Sequence, residues 1–246
     1  MNDDLRIWKD QYFIYWHECD FRGKATLTTV CNFLQETAWR HAEKLGFGYQ
    51  DAGKINQFWV VVRWAIKMKK YPKWKDQVIV ETWPRKPDRY YAFRDYSIKT
   101  PEGEELGAAT STWMLLDATT HRPQKMELVK TATHVTRDVK AIGEDAAKIE
   151  FPAEMLPTGR HQVTYSDVDF YGHVNNARYV EWTLDLFDDV FHKHTQIHTF
   201  QINFLQESGF GDDIDFSIQK NTTDGIIVKA TRTRDGKDVF GAEIWE

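Results

Sequence analysis

The chain has 246 residues, a formal net charge of −5, and 41% apolar, 14% aromatic and 28% charged residues. That is enough apolar content for a substantial core and too little charge bias for disorder, so one large domain or two small ones are expected. The acidic balance carries no nucleic-acid footprint, and no apolar run approaches the roughly 20 residues that span a bilayer. Two cysteines, Cys19 and Cys31, with no CxxC pair make no disulfide framework. The start, MNDDLRIWKDQ, is unlike a signal or transit peptide, so a reducing, cytoplasmic location is expected.

In chain order, YFIYWHEC (12–19) predicts a strand, followed by a turn and a helix through TLTTVCNFLQETAWRHAEKLG. Val30, Phe33, Leu34, Ala38 and Leu45 recur there at helical spacing, and Gly46 suits the stop. Strands follow in QFWVVVRWAIKM, QVIVETWP, YYAFRDYSIKT and GAATSTWMLLD, separated by Asp/Gly/Pro turns. The segment from about Ala118 to Gly159, polar with scattered prolines, predicts a connection across the surface with some local structure.

The second part repeats the plan. HQVTYS predicts a strand, and Ala177, Val180, Leu184, Phe187 and Phe191 fall on one face of a single helix. HTFQINFLQ, DIDFSIQK, GIIVKATRT and DVFGAEIWE then read as strands. A short motif also recurs before each helix, CDFRGK (19–24) against VDFYGH (168–173), with an apparent slip of one residue between motif and helix. A helix followed by strands, twice, argues for an α+β fold with helices on antiparallel sheet. Neither half alone readily covers both a sheet face and a helix stripe, whereas pairing the halves does.

Three stretches, SDVDFYGHVNNARYVEW (166–182), LQETAWRHAEKLGF (34–47) and WVVVRWAIKMKKYPKWKDQVIVETW (59–83), resemble the acyl-ACP thioesterases, plant and bacterial enzymes that release fatty acids. INFLQES (202–208) falls where that family carries a functional Glu followed by Cys. The resemblance implies a double hotdog: an N-terminal hotdog domain at 1–117, a connection at 118–159, and a C-terminal hotdog domain at 160–246 that carries the catalytic motif. It departs from the plant pattern at Tyr171, where those members have Asn, and at Ser208, where they have Cys. The second departure argues against a cysteine nucleophile, and the start of the chain points to a bacterial type.

Thioester hydrolysis needs an activated water or a direct nucleophile, and donors for the tetrahedral oxyanion. The leaving thiol, with an ordinary pKa of about 8.5, needs little acid assistance. The resemblance therefore assigns Asp169 as general base or nucleophile and His173 as its polarising or proton-handling partner. Asn175 or Asn176 positions water, substrate or the helix start, and Glu207 either activates water or orients His173. Gly172 lets backbone approach the substrate, and unpaired amides at the helix start suit the oxyanion. Tyr171 either donates through its hydroxyl or lines the acyl site, and Ser208 falls beside it as a substrate contact. The bland alternative is that Asp and Asn cap the helix and Gly172 serves a tight turn. Asp20 occupies the same turn in the first half, but Lys24 stands in the place of His173, so that turn reads as scaffold.

No cofactor and no metal are expected; His192, His194 and His198 lie where the helix pattern ends, without a carboxylate–histidine set. NTT at 221 matches a glycosylation sequon that has no use without secretion. KMKKYPKWK (67–75) and RKPDR (85–89) are basic against the average. They read either as a lysine-guarded sheet edge or as a capture surface for an acidic acyl carrier protein. No nucleic acid or membrane partner is expected, and the tandem halves suit a monomer or a homodimer. The competing readings are an acyl-CoA thioesterase and a non-hydrolytic acyl-binding protein; a hotdog dehydratase fits the motif least.

Overall fold

The computed structural model describes residues 5–130, 133–220 and 225–246. The sequon at Asn221 lies outside them, as do the first four residues of the acidic start. The chain divides into two compact units, Met1–Ala146 and Ala147–Glu246. Among the described residues no helix is long and apolar enough to cross a membrane.

Unit 1 contains β1 (Trp8–Phe13), α1 (Leu27–Lys44), α2 (Tyr49–Lys54), β2 (Gln57–Met68), β3 (Gln77–Pro84), β4 (Ala92–Lys99), β5 (Glu105–Asp117), β6 (Pro123–Gln124) and α3 (Glu127–Lys130). Its sheet runs β1-β3-β4-β5-β2, every pair antiparallel, with β6 added against β5. Helix α1 packs on β3 and β1 and buries Val30, Phe33, Leu34 and Ala38 at the predicted spacing. Gly46 follows it at φ +77, the left-handed position glycine fills most readily.

The α1 face also buries two polar side chains that an apolar pattern does not reveal. Thr37 Oγ1 meets the Tyr12 hydroxyl at 2.7 Å. Arg94 Nη1 donates to His41 Nδ1 at 3.0 Å, which leaves His41 Nε2–H to donate to the Leu5 carbonyl at 3.1 Å. Burial and the adjacent guanidinium hold His41 neutral and push its pKa down to about 3.

Unit 2 contains β7 (Leu156–Gln162), α4 (Asn176–Asp185), α5 (Asp189–His194), β8 (Thr199–Phe204), β9 (Asp213–Lys220), β10 (Ile226–Arg232) and β11 (Lys237–Trp245). Its order, β8-β11-β10-β9-β7, is again all antiparallel. It is the order of unit 1 with each strand replaced by its counterpart. Helix α4 packs on β11, where Tyr179 lies 5.1 Å from both the Trp182 and Phe240 rings. Phe200, Ile202, Ile214, Phe240 and Ile244 complete a core in which each large side chain contributes about 1.5–3 kcal/mol. A long helix laid on an antiparallel sheet is the hotdog plan, present in each unit.

The structure corrects four expectations. The first strand is Trp8–Phe13, and WHE at 16–18 forms a 3-10 turn. HQVTYS likewise ends a strand at Gln162 and enters a 3-10 turn at Tyr165–Asp167. Each turn is set by a reciprocal cap: Tyr15 N donates to Glu18 Oε2 at 2.8 Å, and Thr164 N to Asp167 Oδ2 at 2.7 Å. The single helix expected through Phe191 breaks after Leu186, because Asp188 caps α5 by accepting from Phe191 N at 2.8 Å. The slip between motif and helix is also absent, since Thr26 caps α1 and Asn175 caps α4 at matching distances from their turns.

Residues 118–146 belong to unit 1. Met126, Val129 and Val135 join Phe47, Ala52 and Leu115 in one apolar cluster. Farther on, the chain is held against β3 and β4. Trp83 Nε1 donates to the Val139 carbonyl at 2.8 Å, Ala141 N donates to Asp95 Oδ1 at 2.8 Å, and Arg85 pairs with both Asp95 and Asp145. Residues 147–149 are fastened within unit 2: Gln201 and Asn203 accept from the amides of Ala147 and Ile149 and donate to the Ala147 carbonyl.

Candidate active site

The turn at 169–173 is a tight reversal closed by backbone. Asp169 N donates to the His173 carbonyl at 2.8 Å and Gly172 N to the Asp169 carbonyl at 3.0 Å. Gly172 takes φ +81, which an L side chain adopts only with strain, and an added Cβ would meet nothing within 4 Å. The glycine is therefore set by conformation and not by close packing. Asp169 Oδ1 accepts from Tyr171 N at 2.9 Å, so the carboxylate stiffens the turn while remaining half-buried at its surface.

The turn is stitched to the segment after β8. Val174 N donates to the Ser208 carbonyl at 3.0 Å, and His173 pairs with Gly209 in an isolated antiparallel bridge. This brings the strand end to the turn, and Glu207 Oε2 lies 3.4 Å from His173 Nδ1, both side chains about half exposed at 48% and 46%. An Nδ1–H directed at Glu207 leaves Nε2 as the proton acceptor. The 3.4 Å separation is slightly longer than a good hydrogen bond.

Asn175 caps α4 through Oδ1, which accepts from Ala177 N at 2.9 Å, and Asn176 is the first helical residue. Arg178 N donates to the Asn175 carbonyl at 2.9 Å. Two of the first helix amides thus have partners, which narrows the supply of oxyanion donors expected from the sequence. Tyr171 is exposed, its ring 5.3 Å edge-on from Phe170. Phe170 and Phe210 are also exposed, giving the site an apolar rim. Ser208 does not face this rim. It is 1% exposed, and its backbone N–H donates to the Tyr179 hydroxyl at 3.2 Å. Burial pushes that hydroxyl up to about 12, so it stays neutral.

Sequence reasoning missed Asp167, the buried carboxylate beneath the turn. It accepts from Thr164 N and Oγ1, from His161 Nε2 at 3.0 Å and from Trp182 Nε1 at 3.3 Å. Burial opposes its charge, but these donors outweigh burial and hold its pKa below the usual carboxylate range. The signal available in the sequence was Thr-x-x-Asp, a capping box in front of the motif.

Cys19 and Cys31 are free thiols in unit 1, and burial pushes both up, so neither is a ready thiolate. The His192 ring bonds to the Leu184 carbonyl at 3.1 Å. Among the described residues no three ligating side chains converge as a metal site. In the basic segments, Lys67, Lys69 and Lys70 pair with Glu144, Glu105 and Glu104, and Arg85 is buried. Lys73 and Lys75 are exposed and make no ion pair among the described residues. Two shallow clefts, about 330 and 410 Å³, lie around Tyr90 in unit 1 and Phe216 in unit 2; neither is lined by Asp169, His173 or Glu207.

Two family models match the chain: the acyl-ACP thioesterase N-terminal domain over residues 6–131 and the C-terminal domain over 154–245. The oleoyl-acyl carrier protein thioesterase 2 of Arabidopsis thaliana is 26% identical over 253 residues, covering 94% of this chain and 68% of that protein. The palmitoyl-acyl carrier protein thioesterase of the same plant is 30% identical over 196 residues, covering 74% of this chain and 47% of that protein. The crystal structure of an acyl-ACP thioesterase from Bacteroides thetaiotaomicron superposes with a TM-score of 0.82 at 27% identity, covering 100% of this chain and 99% of that one. The 12:0-ACP thioesterase of Umbellularia californica, at 22% identity, shares the fold with a TM-score of 0.85 over 97% of this chain and 96% of that one. Matched in both of its domains, in order, the chain belongs to the acyl-ACP thioesterase family.

Proposed function

We propose that this protein hydrolyses the thioester of a fatty acyl group on acyl carrier protein, releasing the free fatty acid and the carrier thiol. The observation that carries the reading is the His173–Glu207 pair at 3.4 Å, set beside Asp169 by one backbone-closed turn. Family membership makes the reaction a thioester hydrolysis; the roles of the residues are our reading.

Attack by oxygen on the acyl carbon forms the C–O bond, and the electron pair moves to an oxyanion. Collapse of that intermediate breaks C–S and expels the thiolate, which takes up a proton. Asp169 acts as base toward water, or as the nucleophile itself, in which case water then cleaves the acyl–Asp169 anhydride, releasing the fatty acid and restoring the carboxylate. His173, its Nδ1 oriented by Glu207, handles the proton at Nε2. Exposed Phe170, Tyr171 and Phe210 offer apolar surface to the substrate arm, while Asn175 and Asn176 fix the start of α4 beside it. Ser208, with its hydroxyl inside the protein, supports the loop through its backbone. Catalysis then belongs to the C-terminal hotdog domain from about residue 160. Of the basic segments, Lys73 and Lys75 supply the charge for an acidic carrier protein.

The test is thiol release from a panel of acyl-ACPs and acyl-CoAs, with Asp169→Asn and Glu207→Gln alongside the parent. Faster turnover of acyl-ACP, and folded variants with turnover lowered about 10²–10⁴-fold, are expected. Parent-like turnover in Asp169→Asn removes that residue from the chemistry, and a preference for acyl-CoA replaces the carrier protein as the natural substrate.

A further inference from the structure

Glu207 sits on a loop, and a carboxylate on a loop aims at its partner only as well as the backbone beneath it is held. Each backbone polar group around Glu207 described so far has a defined partner. The Ser208 amide donates to the buried Tyr179 hydroxyl, and the Ser208 carbonyl accepts from Val174 N. The Gly209 amide donates to Asp212 Oδ2 at 3.0 Å. The carbonyl of Glu207 itself accepts from Arg232 Nη1 at 2.6 Å.

Arg232, at the end of β10, is 6% exposed. Its Nε and Nη2 grip both oxygens of Asp235 at 3.1 and 2.7 Å, and Asp212 Oδ2 lies 3.8 Å from Nη1. Two carboxylates therefore fix the guanidinium plane, and its remaining edge meets the Glu207 peptide. A planar fork with several donors suits this task, whereas a lysine places only one mobile charge. In the corresponding loop of unit 1, Lys73 N donates to Asp76 Oδ2 at 2.8 Å just as Gly209 N does to Asp212, but Tyr71, 8% exposed, stands in the place of Glu207.

We infer that Arg232 is a positioning residue: it fixes the peptide of Glu207 so that the carboxylate faces His173 Nδ1. The inference rests on the reading of Glu207 and His173 as catalytic partners, yet its geometry is testable without turnover. It makes no contact with substrate a requirement, since Arg232 acts through the loop.

The experiment uses the full chain with Arg232→Met, Arg232→Lys and Asp235→Asn, read by two methods. Steady-state kinetics on acyl-ACP give kcat and KM separately, and crystal structures of the variants without substrate give the Glu207–His173 separation directly. Arg232→Met is expected to lower kcat about 10–100-fold, the scale of a slightly misplaced catalytic group, with KM changed less than about twofold. It is also expected to widen the Glu207–His173 separation beyond 3.4 Å, because the loop that aims the carboxylate has lost its hold. Arg232→Lys restores part of both effects. Asp235→Asn, an exposed change that leaves the core untouched, shifts both in the same direction by a smaller amount and decides the matter if Arg232→Met does not fold. Arg232→Met combined with Glu207→Gln is expected to be no slower than the worse single variant.

An unchanged Glu207–His173 separation in folded Arg232→Met, or fully additive losses in the double variant, overturns the inference. Should Glu207→Gln alone leave turnover intact, the catalytic reading fails; the Glu207–His173 separation in Arg232→Met still tells whether Arg232 holds the loop.

Discussion

The two units carry the same turn, and its hydrogen bonds repeat one for one. In unit 1, Asp20 N donates to the Lys24 carbonyl at 2.8 Å, Gly23 N to the Asp20 carbonyl at 2.9 Å, and Ala25 N to the Pro72 carbonyl at 2.8 Å. These match the bonds of Asp169, Gly172 and Val174. The bridge between Lys24 and Lys73 stands where His173 meets Gly209. What differs is side chains alone. Arg22 replaces Tyr171, Lys24 replaces His173, Tyr71 replaces Glu207, and Asp20 is bound by Arg22 through Nε at 2.8 Å. The same backbone turn is built twice with different side chains, so the chemistry proposed for the second turn would come from its side chains and not from its backbone geometry.

The largest effect that tests this contrast is on turnover. Asp169→Asn is expected to lower kcat about 10²–10⁴-fold, while Asp20→Asn, in the same backbone setting, leaves it within about twofold. Equal losses in acyl-ACP assays would make both turns catalytic. Placing a carboxylate in the first turn comes next. Tyr71→Glu buries an unpaired charge where Glu207 is half exposed, so urea unfolding should show unit 1 weakened by about 3–5 kcal/mol, with no gain of activity.

Acid separates the units more gently. His41 has a folded pKa of about 3, below its unfolded value of about 6.5. Its stability is complete above pH 6.5 and is lost as pH falls toward 3, by up to about 1.4 kcal/mol per pH unit. Asp167 is also depressed, but its contribution is complete above about pH 3.9 and is lost only below that, as pH falls through its folded value. Melting temperatures measured from pH 7 to 4 should therefore fall in the parent and fall less steeply in His41→Gln. A parallel slope would remove His41 as the cause.

The smallest effect is conformational. Lys75 occupies φ +73 where unit 2 has Gly211 at +83. Gly211→Lys should cost about 1–2 kcal/mol in denaturant melts, and Lys75→Gly should recover less, because glycine loses more entropy on folding.

Where one rule acts alone, the sequence was readable. QFWVVVRWAIKM, QVIVETWP and DIDFSIQK became β2, β3 and β9 residue for residue, because their composition, alternation and flanking turns agree. The errors fell where a side chain competed with the pattern. WHE and YSD are apolar or β-prone enough to extend a strand, but Glu18 and Asp167 turned the backbone through caps. Asp188 divided a helix whose apolar stripe was continuous. At the candidate site, Asp169, His173 and the asparagines were visible as a motif, and Glu207 only through the family resemblance. Arg232, Tyr179 and Asp212 were not, since their partners come from other strands and no local spacing encodes them.

The stretch from Val139 to Ile149 has a practical consequence for handling the protein. The Val139 carbonyl and the Ala141 amide are engaged by Trp83 and Asp95, and the backbone of Ala147 and Ile149 by Gln201 and Asn203, so both ends of the stretch are poor targets for a protease, which favours exposed, unbonded backbone. Cutting the gene inside either held part would strip that fragment of a strap, whereas a cut between Ala146 and Ala147 leaves each fragment with its own.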